Sequence, residues 1–135
     1  MSSTLNPYLT FDGTAREALA FYAEVFGGDV RLSTFGEFGE PDAPHANLIM
    51  HGQLETTAGY TIMGADVPPG MTYQAPSGST VSISGDDADE LRGYWEQLSA
   101  GATVTMPLEK QAWGDEFGMC TDRFGTPWMV NITQS

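Results

Sequence analysis

The chain has 135 residues, enough for one domain with a hydrophobic core, and its 18 Asp and Glu against 5 Lys and Arg leave a formal net charge of −13. A chain this acidic repels phosphate backbones and anionic lipid, so neither nucleic acid nor a membrane surface is expected as a partner. Its 41% hydrophobic content is too high for a disordered acidic chain.

In chain order, Met1-Ser2-Ser3-Thr4 lacks the charged and apolar regions of a signal peptide, and no later apolar run approaches the roughly 20 residues of a membrane span. A soluble cytoplasmic protein is expected. Residues 6–11 read as a short strand. Thr14 and Glu17 have the spacing of a capping box, and a helix follows with Ala18, Tyr22 and Val25 on one face. Gly27-Gly28 stops it, because glycine takes the left-handed conformation at a helix end without penalty. Residues 29–35, 45–54 and 59–64 read as strands, with a breaker at 36–44. A linker containing Pro68, Pro69 and Pro76 spans about 67–77.

The second half repeats the first. A shift of 73 brings Thr14 onto Asp87, Glu17 onto Glu90, Phe21 onto Tyr94, Tyr22 onto Trp95, Val25 onto Leu98 and Gly28 onto Gly101. A strand over 79–84 therefore leads into a helix with Leu91, Trp95 and Leu98 on its apolar face. Strands over 103–108, 117–121 and 127–132 follow it, and Trp113-Gly114-Asp115 marks a hairpin tip. Two strand-helix-strand-strand-strand modules emerge, at about 4–66 and 78–134. Each is too small to bury much alone, so they are expected to form one domain.

Duplicated modules of this kind resemble the vicinal oxygen chelate superfamily, which includes glyoxalase I, extradiol dioxygenases, and fosfomycin-resistance and bleomycin-binding proteins. The similarity is to its PhnB-like branch. It rests on Asn6-Pro7-Tyr8-Leu9-Thr10-Phe11-Asp12-Gly13, Phe21-Tyr22, Val25-Phe26-Gly27-Gly28, Ala65-Asp66-Val67-Pro68-Pro69-Gly70-Met71, Met106-Pro107-Leu108, Trp113-Gly114, Phe124-Gly125 and Trp128-Met129-Val130-Asn131. The resemblance implies an α+β fold in which two tandem βαβββ modules form a curved mixed sheet, with a concave cleft on one face and helices on the outer face. Members often carry the label demethylubiquinone methyltransferase, yet this chain has no glycine-rich strand-to-helix turn for a nucleotide-like cofactor.

In the superfamily's metalloenzymes each module supplies two metal ligands, His, Gln or Glu, from its first and last strands. The matching positions here fall at or beside Asn6, at Ser79 or Thr80, near 61–63, and near Met129. None is His, Glu or Gln, so no metal ligands are assigned, and a divalent metal cofactor has no support from these positions. His45 and His51, placed on one predicted strand, would lie about 20 Å apart and could not share an ion. His45 reads as a solvated strand-start residue. His51 reads either as a hydrogen-bonded residue of the sheet or as part of a ligand pocket.

Other constellations carry structural readings. Cys120 has no disulfide partner and no helix N-terminus beside it, and reads as a free buried thiol. Asp86, Asp87, Asp89 and Glu90 are first-turn charges. Asp115 and Glu116 read as solvated, and Asp122 as the start of an Asx turn. The cleft candidates are Tyr8, His51, Tyr60, Met63, Trp113, Phe117, Met119 and Trp128, because apolar, aromatic and thioether side chains suit a small-molecule site. The expectation is a homodimeric binding protein for an aromatic, hydrophobic or cationic molecule, acting in sequestration or resistance. The alternative is a lyase, isomerase or dioxygenase with a metal site rebuilt around His51 and Glu55. A structural protein without a ligand is the third reading.

Overall fold

Helical and strand periodicities resolve, among the described residues, into two helices and eight strands. The computed structural model describes residues 3–37, 39, 42, 44–68 and 70–134. Met1 and Ser2, Pro69 of the linker, and Phe38, Glu40, Pro41 and Ala43 of the first breaker lie outside the described residues, as does Ser135. The chain forms two compact units, one ending at Gln74 and the other beginning at Ala75.

The first unit runs β1 (Tyr8–Phe11), α1 (Ala15–Phe26), β2 (Asp29–Thr34), a short 3-10 turn (Phe35–Glu37), β3 (Ile49–Glu55) and β4 (Thr61–Asp66). Its four strands form one mixed sheet in the order β1-β4-β3-β2, with β1 parallel to β4 and the other pairs antiparallel. The second unit repeats the pattern with β5 (Val81–Gly85), α2 (Ala88–Ser99), β6 (Thr103–Lys110), β7 (Glu116–Thr121) and β8 (Pro127–Ile132), in the order β5-β8-β7-β6. These are the tandem βαβββ modules expected from the repeat.

Each helix lies on one face of its own sheet. Ala15, Ala18, Leu19, Tyr22, Val25 and Phe26 of α1 are buried, together with Phe11, Leu54 and Ile62 of the strands. In the second unit Leu91 and Leu98 of α2 are buried with Ile83, Cys120, Trp128, Val130 and Ile132. Each large apolar side chain buried this way contributes about 1.5–3 kcal/mol. Two glycines show how closely helix and sheet approach. A Cβ on Gly52 would stand 2.3 Å from Leu19 Cδ1, and one on Gly118 would stand 2.9 Å from the Trp95 ring and from Leu108 Cα. Gly27 and Gly101, at φ 74° each, end the helices as expected.

The helix starts differ from expectation in one module. Thr14 makes no side-chain cap hydrogen bond. Ala15 N instead donates to Asp66 Oδ1 at 2.9 Å, and Ile49 N donates to Asp66 Oδ2 at 2.8 Å. A buried carboxylate at the end of β4 thus replaces the local capping box, because an ionised acceptor binds amides more strongly than a hydroxyl. In the second module Glu90 N donates to Asp87 Oδ1 at 3.2 Å, the expected cap.

The predicted strand over 45–54 begins only at Ile49. His45 sits in a preceding turn, where Leu48 N donates to its carbonyl at 3.1 Å and its ring meets Phe35 edge-on, with centroids 6.2 Å apart. Ser33 pairs with His51 and Thr34 with Ile49, so Met50 is an extra residue in a β-bulge. The bulge breaks strict alternation. Ile49 therefore faces the core while His51 faces away from it.

Two acidic residues expected to be solvated are engaged. Asp115 accepts from Asn131 Nδ2 and Gln134 N, both at 3.1 Å, and these donors hold its carboxyl below the usual carboxylate range. Glu116 pairs with Arg92 of α2, and that pairing raises the guanidinium pKa further.

Candidate functional site

Register identifies which side chains leave each sheet away from its helix. Gly52 faces α1, and it pairs with Gly64, which pairs with Leu9. Their strand neighbours Gln53, Met63 and Tyr8 therefore point the other way, because successive strand residues alternate. Tyr8 pairs with Met63, Met63 with Gln53, and Gln53 with Arg31, giving one row across four strands. His51 lies on the same face, two residues from Gln53.

Tyr8 and His51 meet. Their strands flank β4 on opposite sides, and at roughly 4.8 Å per strand spacing only a long side chain can bridge it. The Tyr8 phenol does so, placing Oη 3.3 Å from His51 Nδ1 with ring centroids 5.7 Å apart. The phenol donates when Nδ1 carries the lone pair. Tyr8 is 53% exposed and His51 and Met63 are half-buried, so this patch offers an aromatic surface, a thioether and a polar pair. One row along, Thr61 pairs with Glu55 and Glu55 with Asp29, which adds acidic groups to the same face.

In the second unit Gly118 faces α2, so Phe117, Met119, Met129 and Asn131 face away from it. Trp113, 62% exposed in the hairpin after β6, meets Phe117 edge-on with centroids 5.9 Å apart. Ser82 pairs with Met129, and Ser84 with Asn131, on this same face.

Six of the eight cleft candidates thus fall into two groups, one on each module: Tyr8, His51 and Met63, and Trp113, Phe117 and Met119. Tyr60 and Trp128 leave the set. Tyr60 precedes β4 in the hairpin and meets Phe26 of α1 edge-on at 6.4 Å, on the helix side of the sheet. Trp128 is 1% exposed, and its indole N–H donates to Asp122 Oδ2 at 2.8 Å, as core packing of an indole requires. Both rings stand on the helix-facing side of the alternation. Gln53 shares the face of His51 by alternation along β3, whereas Arg31, Ser82 and Asn131 join these faces only through the pairing register.

Asn6 and Ser79-Thr80 precede their strands, and Asn6 Nδ2 donates to the Pro7 carbonyl. The first and last strands of each module instead present Tyr8 beside Met63 and Ser82 beside Met129. A phenol, a hydroxyl and two thioethers do not fit a hard or borderline divalent ion, which wants carboxylate or imidazole. His51 and Glu55 stand four residues apart on one strand, about 13 Å, and Glu55 Oε1 accepts from Gln53 Nε2 at 2.8 Å. Among the described residues no three His, Cys, Asp or Glu side chains group to hold an ion. Cys120 is buried on the helix side, and burial, with the nearby Asp122 charge, pushes its thiol up to about 11. Among the described residues no helix is long and apolar enough to cross a membrane.

Comparison with known proteins agrees with this architecture. The family described as 3-demethylubiquinone-9 3-methyltransferase matches residues 3–131. The crystal structure of protein PA1353 from Pseudomonas aeruginosa is 35% identical, with a TM-score of 0.87 over 99% of this chain and 100% of that one. The PhnB protein from Bacillus cereus has a TM-score of 0.76 at 20% identity, over 97% and 100% of the two chains. A glyoxylase/bleomycin resistance/dioxygenase domain from Frankia sp. shares the fold, with a TM-score of 0.64 at 16% identity over 100% and 94%.

Proposed function

Given that this chain belongs to the 3-demethylubiquinone-9 3-methyltransferase family, the PhnB-like branch of the glyoxalase/bleomycin resistance/dioxygenase superfamily, we propose that it binds a small aromatic or cationic molecule without a resident divalent metal. One observation carries this reading. Where the superfamily's metalloenzymes place ligands, the first and last strands present Tyr8 with Met63 and Ser82 with Met129. Those groups suit an aromatic guest, since methionine adapts to irregular shapes and a phenol ring offers its face to planar or cationic groups.

The acidic row of Glu55 and Asp29 on the same face supports a cationic guest, as does the net charge of −13. Sequestration, as in a resistance factor of the cytoplasm, follows as the biological role. The reading extends to a homodimer in which the exposed Trp113 covers the binding face of a second copy. Light scattering on the wild type and on Trp113→Ala tests that extension.

The primary test is a thermal-shift panel of planar aromatic cations and their neutral analogues, on tag-free protein with and without chelator. A guest that prefers the folded state stabilises it, by about 2.7 kcal/mol at a hundredfold excess over Kd. Stabilisation by cations that is indifferent to chelator is expected. Stabilisation abolished by chelator, or stoichiometric Zn, Ni, Mn or Fe in the purified protein, would overturn the reading.

A further inference from the structure

The face of the second sheet away from α2 carries a row of three thioethers, of which the aromatic-guest reading rests on Met129 alone. Met106 of β6 pairs with Met119 of β7, and Met119 pairs with Met129 of β8. Directly paired residues point to the same face, and Met129 lies between the buried Trp128 and Val130, so all three methionines emerge on the side away from the helix. Met106 is 39% exposed and the other two are half-buried.

The alignment depends on an irregularity. Val104 pairs with Cys120, which faces α2, and strict alternation would put Met106 on that same side. The register shift between Val104 and Met106 inserts Thr105 as an extra residue, and Thr105 Oγ1 donates to the Met119 carbonyl at 3.2 Å. A bulge of this kind re-aims the next side chain. Met106 is thereby turned to join Met119 and Met129.

From this geometry we infer that Met106, Met119 and Met129 form a binding site for a soft monovalent metal ion, Cu(I) or Ag(I). Thioether sulfur is a neutral, polarisable donor that prefers Cu(I) over hard or borderline divalent ions. Directly opposed Cβ atoms are about 5 Å apart, so the outer two of the row are about 10 Å apart. Sulfur bonds of about 2.3 Å to a shared ion require the three sulfurs to approach within about 4 Å of one another. The middle residue is already central, and the outer two reach it by leaning inward, which unbranched side chains with three rotatable bonds do readily. Phe117 stands two residues from Met119 on the same face, where its ring adds attraction for a cation.

Titration of the full chain with Ag(I), a redox-inert probe, and anaerobic competition for Cu(I) against a chromogenic chelator test the site. One ion per chain is expected. Met119→Leu and Met129→Leu should weaken binding by more than about tenfold, since loss of even an outer-sphere partner costs that much. Cys120→Ser and Met63→Leu should leave it unchanged. In protein labelled at the methionine methyl groups, Ag(I) should shift the NMR signals of Met106, Met119 and Met129, and this reading needs no variant to fold. Binding that survives Met119→Leu with Met129→Leu, binding lost in Cys120→Ser, or no shift of these three signals at saturating Ag(I) would overturn the proposal. The aromatic-guest reading is tested separately on the wild-type chain, with organic cations and divalent-metal analysis, so its failure is distinguishable from the failure of this one.

Discussion

Ala15 N donates to Asp66 Oδ1 at 2.9 Å, so the first turn of α1 is capped by the last residue of β4, 51 positions further along the chain. The other carboxylate oxygen holds Ile49 N at the start of β3. One buried side chain therefore ties a helix start to two strands. Asp66→Ala leaves both amides unpaired and should cost about 3 kcal/mol in urea denaturation. Thr14→Ala, at the position a local capping box would use, should stay within about 0.5 kcal/mol. The opposite ranking would show that the local box operates in solution.

The β7–β8 hairpin makes a parallel test. Asp122 Oδ1 accepts from Phe124 N at 2.8 Å and Thr126 N at 3.0 Å, while Oδ2 accepts from the Trp128 indole. The equivalent β3–β4 turn has Thr56, whose hydroxyl accepts from Tyr60 N at 2.8 Å. Three bonds to a charged acceptor outweigh one to a neutral one. Asp122→Ala should cost about 3 kcal/mol and alter tryptophan fluorescence, whereas Thr56→Ala should cost about 1 kcal/mol.

Burial, followed by the charge of Asp122, pushes the Cys120 thiol from its ordinary 9.0 up to about 11. Between those values the unfolded chain has lost a proton that the native state keeps, so stability falls as pH rises. Unfolding midpoints measured from pH 8 to 11 should decline, and Cys120→Ala should flatten the decline. At pH 8 the native thiol should react with a disulfide reagent far more slowly than the unfolded thiol does.

Asp115 titrates in the opposite sense. The Asn131 amide and the Gln134 N–H hold its carboxyl below the ordinary range. Its contribution is present above the ordinary carboxylate value, near pH 4, and is lost as pH falls through the lowered one. Asp115→Asn should therefore flatten the acid limb of pH-dependent unfolding by lowering stability at neutral pH, with the two proteins converging at low pH.

At the candidate site, Tyr8→Phe keeps the ring and removes the oxygen that meets His51. It should retain most of any aromatic-cation affinity, while Tyr8→Ala should lose about 1–2 kcal/mol of it in calorimetric titration. Equal losses in the two variants would assign the affinity to the hydroxyl and not to the ring.

Local chemistry was legible in the chain. A shift of 73 between helix starts located both modules, Gly27 and Gly101 ended their helices, β8 fell on 127–132, and Asp122 made its Asx turn, because each depends on side chains only a few residues apart. Composition also supplied the aromatic and thioether side chains found on the faces away from the helices. Pairing register decided the rest. The bulge at Met50 sends Ile49 inward and His51 outward, the one at Thr105 turns Met106 into line with Met119, and the alternation puts Tyr60 and Trp128 on the helix side. Asp66 could not be read as the cap of α1, since nothing near Thr14 announces it. One extra residue in a strand reverses every later side chain, and a carboxylate can cap whatever amide the fold brings to it. Such outcomes depend on which distant segments pair, and that is a property of the folded molecule.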